Sequence, residues 1–240
     1  MLKDAQVDLC GRVDFARTEP LLGREEAFSF ACAGCGNCCR GREDIVLSGH
    51  DLWRIAARLC LPPRIVARAF CRESIGQVSR LPVLRLQPVK ENRNNCPFLT
   101  GNHCAIHDAE PLVCALYPLA QEISREGEVS YFLQPTSCGG RVIEARVEDY
   151  LLRYDVPARE PVDARWAVAC MELEDTVEEL EKQLSPVLLR QAQKRCWEAL
   201  YYDYDPETPF LVQFEANLSA LRAEFEKLLQ YQKRLNDRKK

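Results

Sequence analysis

The chain has 240 residues, a formal net charge of −4 and 28% charged residues, a balance typical of globular proteins that excludes a disordered chain and a general nucleic-acid binder. No apolar run is long enough to span a bilayer, and the N-terminus MLKDAQVDLCGR lacks the apolar stretch of an export signal, so a cytoplasmic protein without a membrane segment is expected. Thirteen cysteines in a reducing compartment point to metal rather than to a disulfide framework.

Residues 1–27 read as a leading arm, because Pro20 and Gly23 interrupt any long helix. Residues 28–142 read as a cysteine-cluster metal-binding domain. It opens on a loop over 28–41, too rich in Cys and Gly to hold a helix. Residues 45–47 form a short apolar strand. Ser48, with Asp51 three residues on, caps a helix that carries Leu52, Ile55, Ala56 and Leu59 on one face. Pro62-Pro63 ends it, and a second short helix covers 63–71. Residues 78–89 alternate apolar and polar like an edge strand interrupted by Pro82, and 129–134 make another strand. The two are candidates to pair as a small sheet beside the metal loops.

Residues 143–240 read as a helical subdomain. Trp166, Cys170, Leu173, Val177, Leu180 and Leu184 recur at spacings of three and four. Pro186 restarts the helix, with Leu189, Ala192, Cys196 and Leu200 continuing an apolar face. Thr208-Pro209 opens a last helix bearing Phe214, Leu218, Leu221, Phe225 and Leu228. The expected fold class is α+β, mostly helical, with cysteine-rich loops and a small sheet ahead of the helices.

Eight cysteines carry the chemistry. Cys32, Cys35, Cys38 and Cys39 form a C-x-x-C-x-x-C-C run inside ACAGCGNCCRG. Cys96, Cys104 and Cys114 follow in CPFLTGNHCAIHDAEPLVCALYP, and Cys138 in SCGGR. A C-x-x-C turn curls the backbone around one metal, and Gly34 and Gly36 relieve the crowding that this causes. Three ligands in one run occur in bacterial ferredoxins, whereas structural zinc more often takes two from each of two knuckles. The spacing therefore favours an iron–sulfur cluster over zinc. Side chains of the adjacent Cys38 and Cys39 diverge, so one completes the local site while the other reaches a second one built with Cys96, Cys104 or Cys114. Eight thiols suffice for two four-thiolate sites.

Other polar residues have plainer readings. His107, three residues after Cys104, is a candidate nitrogen ligand, and His50 reads as a surface residue. Cys60, Cys71, Cys170 and Cys196 sit on helical faces or ends and read as core. Cys10 has no partner spacing. The glutamates of 172–181 read as a solvated helix face.

The segments CAGCGNCCRG and CPFL…CAIHDAEPLVCALYP, in that order, resemble the CxxCxxCC (YkgJ-type) cysteine-cluster family of zinc- or iron-chelating proteins; the cluster domain of flagellin lysine N-methylases is similar. The likeness covers about 31–140. It implies metal binding at Cys32, Cys35, Cys38, Cys39, Cys96, Cys104 and Cys114, and methyl transfer from S-adenosylmethionine to lysines of a protein substrate. Relatives commonly carry Tyr-Glu-x-Arg-Pro before the third cysteine of the second block and Arg after it. This chain has His107, Asp108, Glu110 and Pro111, then Ala115. Arg40, Arg42 or Arg141 are candidate cationic partners in their place.

Three functions remain open: a 4Fe-4S enzyme acting on a protein, a zinc-held structural or interaction module, and an electron-transfer protein. No G-x-G-x-x-G fingerprint and no C-x3-C-x2-C run are present, and no catalytic residue is assigned.

Overall fold

The computed structural model describes residues 20–92, 94–136, 138 and 144–238; Cys10 and Arg141 lie outside them. The architecture is α+β and mostly helical, with small antiparallel sheets in the first half and long helices in the second.

Two short strands, β1 (Leu21–Leu22) and β2 (Ala27–Ser29), lead into the first cysteine loop, after which β3 (Val46–Leu47) delivers the chain to α1 (Gly49–Leu59). The cap of α1 is reciprocal: the Asp51 N–H donates to Ser48 Oγ at 2.9 Å and the Ser48 N–H donates to Asp51 Oδ2 at 2.9 Å. At its far end Cys60 takes a left-handed conformation, φ 53°, and its N–H reaches back to the carbonyls of Ala56 and Ala57. That cap leaves Cys60 exposed, not in the core as its spacing suggested. Cys71, Cys170 and Cys196 are buried.

Helix α2 (Pro63–Phe70) begins on its proline and runs directly into β4 (Cys71–Ile75), a strand that the sequence reading lacked. Strand β5 (Pro82–Leu86) lies between β3 and β4. It is therefore a central strand, and Pro82 stands at its start, the place in a strand where a missing N–H is tolerated. The hairpin β6 (Leu99–Thr100) and β7 (His103–Cys104), helix α3 (Leu112–Leu116), and strands β8 (Leu119–Ile123) and β9 (Val129–Leu133) follow. Strand β9 pairs with β8 and β1, not with the 78–89 segment. The hairpin connection supplies its partner locally, which short-range closure favours over a distant strand.

Strand β10 (Glu144–Arg146) pairs with β2 and passes into α4 (Val147–Arg153). The long helices α5 (Val156–Gln183), α6 (Pro186–Trp197) and α7 (Phe210–Asp237) follow. A π-helical turn at Glu198–Tyr202 follows α6 directly. No helix among the described residues is long and apolar enough to cross a membrane.

Burial falls into two clusters. The first joins Leu47, Leu52, Ile55, Leu84 and Ile106 to Trp166, Leu173, Leu200, Phe214 and Phe225 in the second half of the chain; the second joins Phe28, Phe30, Leu116, Leu119, Tyr131, Tyr150 and Val156. Cys96, Cys104 and Cys114 pack against the first, and Cys138 against the second.

The tightest approach in the first cluster is at Gly49. A Cβ there would stand 2.2 Å from the Leu200 carbonyl oxygen and 2.5 Å from the Trp166 ring. Neither the π-turn backbone nor a buried indole can withdraw cheaply. Gly49→Ala is expected to cost about 3 kcal/mol of stability, the upper part of the range for overpacking, read from denaturant midpoints.

Candidate metal centre

Glycine geometry shapes the first loop. Gly34 and Gly36 have φ of 63° and 68°, left-handed values that other residues resist, and a 3-10 turn at Asn37–Cys39 follows. The Gly34 N–H points at Cys32 Sγ, 3.4 Å away. Arg40 then staples the loop to the β6–β7 hairpin: its Nη1 donates to the Cys35 carbonyl at 2.6 Å, and its Nη2 donates to Gly101 O at 3.1 Å and Asn102 Oδ1 at 2.6 Å. The Cys96 N–H donates to Cys39 O at 2.8 Å, and the Gly41 N–H to Asn94 O at 3.0 Å. Two blocks more than fifty residues apart in sequence are thereby side by side.

The sulfurs lie in two groups. Cys38 and Cys39 Sγ are 3.9 Å apart, and with Cys96 and Cys114 they line a cavity of about 20 Å³ walled by Arg42 and apolar Ile45 and Leu86. Cys104 lies within electrostatic reach of Cys96 and Cys38. Cys35 and Cys138 Sγ are 3.8 Å apart, and Cys138 packs against the second core rather than the first. Cys32 is exposed and acts on Tyr150 and Tyr154. Among the described residues no three His, Cys, Asp or Glu side chains converge on one point, so pairs and a shared cavity are the geometry at hand.

That geometry suits a thiophilic ion. Metal–sulfur bonds of about 2.3 Å place two sulfurs of one tetrahedral site about 3.8 Å apart, the spacing of both pairs. A cavity of about 20 Å³ has room for one atom, since about 10–15 Å³ suffices for a water. Backbone N–H groups of Phe98 and Leu99 act on the Cys96 sulfur, and that of Ile106 on Cys104. Such donors favour thiolate, the form in which cysteine binds metal.

Protonation is divided unevenly. The hydrogen bond between the two thiols brings Cys38 down to about 6. Its partner Cys39 is raised by that same bond and by burial. Burial raises Cys96, lifts Cys104 to about 11, and raises Cys114 well above the ordinary thiol value. Metal entry must therefore expel protons from these thiols. In the metal-free protein, unfolded thiols ionise near 9 while Cys104 holds its proton to about 11. The unfolded chain loses protons first, so stability falls as pH rises through that window. Denaturant midpoints of metal-free protein should drop across it, and the drop should be shallower in Cys104→Ala.

Beside the sulfurs, Arg42 supplies a positive charge. Its guanidinium is held by Asp44, with Nε donating to Oδ1 at 2.6 Å, and its charge acts on Cys38 and Cys114. Arg40 serves the backbone instead. His107 is exposed and paired with Glu110, its Nδ1 3.2 Å from Oε1, and it does not line the sulfur cavity. Glu110, unassigned from sequence, is a partly buried carboxyl raised by that burial, and its charge acts on Cys38, Cys104 and Cys114.

Behind the second block lies a buried ionic network. His50 is 6% exposed, not a surface residue, because its Nδ1 donates to Asp163 Oδ1 at 2.8 Å. Arg159 Nε donates to Asp163 Oδ2 at 2.7 Å and its Nη2 to Asp51 Oδ1 at 2.6 Å. Against the burial penalty, His50 and Arg159 together hold the Asp163 carboxyl below its usual range. A signal for this network exists in the sequence. Arg159 and Asp163 continue the stripe of Trp166, Cys170 and Leu173 backwards at spacings of four and three, so two charges fall on a buried face.

Residues 31–139 match the CxxCxxCC family model, described as a "Putative zinc- or iron-chelating domain". No curated protein and no solved structure matches the chain.

Proposed function

With residues 31–139 a CxxCxxCC domain, we propose that the protein binds one zinc or iron ion in an inner site formed by Cys38, Cys39, Cys96 and Cys114, flanked by Cys104. Cys35 and Cys138, with Cys32 three residues before Cys35, form an outer thiol site next to it. The observation that carries this reading is the cavity of about 20 Å³ lined by four thiols. It has the size and the donor set of a single thiophilic ion. Arg42 offsets the charge of the loaded site. Bound there, the metal cross-links the first loop to the second block and so contributes folding free energy.

Metal quantification on protein purified without oxygen tests the proposal. One tightly held zinc or iron per chain that is lost in Cys96→Ser supports the inner site; metal-free protein that takes up neither ion overturns it. A second reading, an iron–sulfur cluster, is favoured by the C-x-x-C-x-x-C run at Cys32, Cys35 and Cys38. It requires acid-labile sulfide and visible charge-transfer absorption, and a colourless preparation replete in zinc rules it out. Protein-lysine methylation is the enzymatic form of this reading and rests on the resemblance alone. S-adenosylmethionine binding to metal-replete protein supports it, and absence of binding removes it.

A further inference from the structure

Cys114 reaches the sulfur cavity from a helix of only five residues, Leu112–Leu116, too short to hold its own direction. What holds it is the buried network. Asp51 Oδ1 accepts from the Leu112 N–H at 2.8 Å and from Arg159 Nη2 at 2.6 Å. Arg159 Nη1 donates to the carbonyl of Glu110 at 3.2 Å. One turn on, the Cys114 N–H donates to Pro111 O at 2.9 Å. Backbone groups of residues 110, 111 and 112 are thus each engaged, two of them by charged side chains 3% exposed on α1 and α5.

We infer that Asp51 and Arg159 are positioning residues for the metal site: they clamp the backbone at Glu110 and Leu112 so that Cys114 is presented to the sulfur cavity. The inference rests on the reading of Cys114 as a ligand. It adds that the site depends on two side chains that touch no sulfur, supplied by helices on either side of the second block. A surface loop would carry its cysteine on a mobile backbone and lose part of the binding free energy in ordering it. The clamp orders that backbone through protein hydrogen bonds alone, so the ordering would not have to be supplied by the metal. Outer-shell partners of this kind typically govern metal affinity by about 10–100-fold.

Leu112 is the first residue of its helix, a position where proline is accommodated, and Pro111 before it is extended, φ −55° and ψ 149°. Leu112→Pro therefore removes the one N–H donor with the helix start retained, and Leu112→Ala controls for the lost side chain. Arg159→Lys keeps the charge but not the fork that reaches both Asp51 and Glu110. Zinc affinity is measured by chelator competition, the cobalt-substituted spectrum reports four-thiolate geometry, and maleimide labelling of metal-free protein reports the exposure of Cys114. Leu112→Pro and Arg159→Lys are expected to bind zinc about 10–100-fold more weakly than Leu112→Ala, with an altered cobalt spectrum and faster labelling of Cys114. Equal affinity, an unchanged spectrum and unchanged labelling in these variants overturn the inference. Should Leu112→Pro fail to fold, Arg159→Lys decides alone. Should wild-type protein bind no metal, the proposed function fails, and the labelling rates still decide whether the clamp positions Cys114.

Discussion

Arg159→Met is expected to lower stability by about 3–5 kcal/mol, the cost of leaving buried charges without their partner. Arg159, Asp51 and Asp163 have side chains only 3% exposed. The guanidinium satisfies both carboxylates, and methionine fills its volume but offers no donor. Asp51 would keep the Leu112 N–H and the Ser48 groups, and Asp163 would keep His50. Neither could shed its charge without a proton. Adding Asp163→Asn to Arg159→Met should recover part of the loss, because one stranded charge is gone. The contrast is Arg125, which forms an equally short pair with Asp175 at 2.7 Å, but with side chains 44% and 61% exposed. Arg125→Ala is expected to be nearly neutral, since solvent screens that pair. Denaturant unfolding of the three variants measures the difference, and an effect at Arg159 no larger than at Arg125 would show that water reaches the network.

Cys114→Ala is expected to abolish tight metal binding and to bring the unfolding of the loaded protein down to that of the metal-free protein. Four-thiolate sites hold zinc with an apparent free energy on the order of 10 kcal/mol near neutral pH, and in the proposed inner site the loss of one of four ligands opens it to water and chelators. Cys96 and Cys39 should behave alike, because the Cys96 N–H bond to Cys39 O joins the two blocks at the cavity wall. The control is Cys60, an exposed thiol at the end of α1; Cys60→Ala should retain both metal and stability. Chelator titration followed by thermal unfolding reads both quantities. A Cys114→Ala protein that keeps its metal would move the site to the outer pair, Cys35 and Cys138.

Helix periodicity was the most legible part of the fold. Trp166, Cys170, Leu173, Val177 and Leu180 are buried on α5, and Phe214, Leu218, Leu221, Phe225 and Leu228 on α7, because a 3.6-residue period survives whatever packs against it. The Ser48–Asp51 cap was legible for the same local reason. Strand pairing was not. Cys71–Ile75 alternates too weakly to be seen, yet it pairs along its whole length with Pro82–Leu86, since a short strand depends on its neighbours more than on its own residues.

The cysteine spacing by itself pointed to metal, because four thiols within eight residues have few other uses. Only the tertiary structure shows which sulfurs lie side by side. Linear spacing treats Cys32, Cys35 and Cys38 as one equivalent run, whereas hydrogen bonds from Arg40 and Cys96 turn Cys38 and Cys39 towards Cys96 and Cys114 and leave Cys35 facing Cys138. The clamp behind Cys114 was equally beyond reach of spacing. Asp51, Leu112 and Arg159 come from three distant segments, and a charge on an apolar helix face reveals its partner only when the fold removes the water between them.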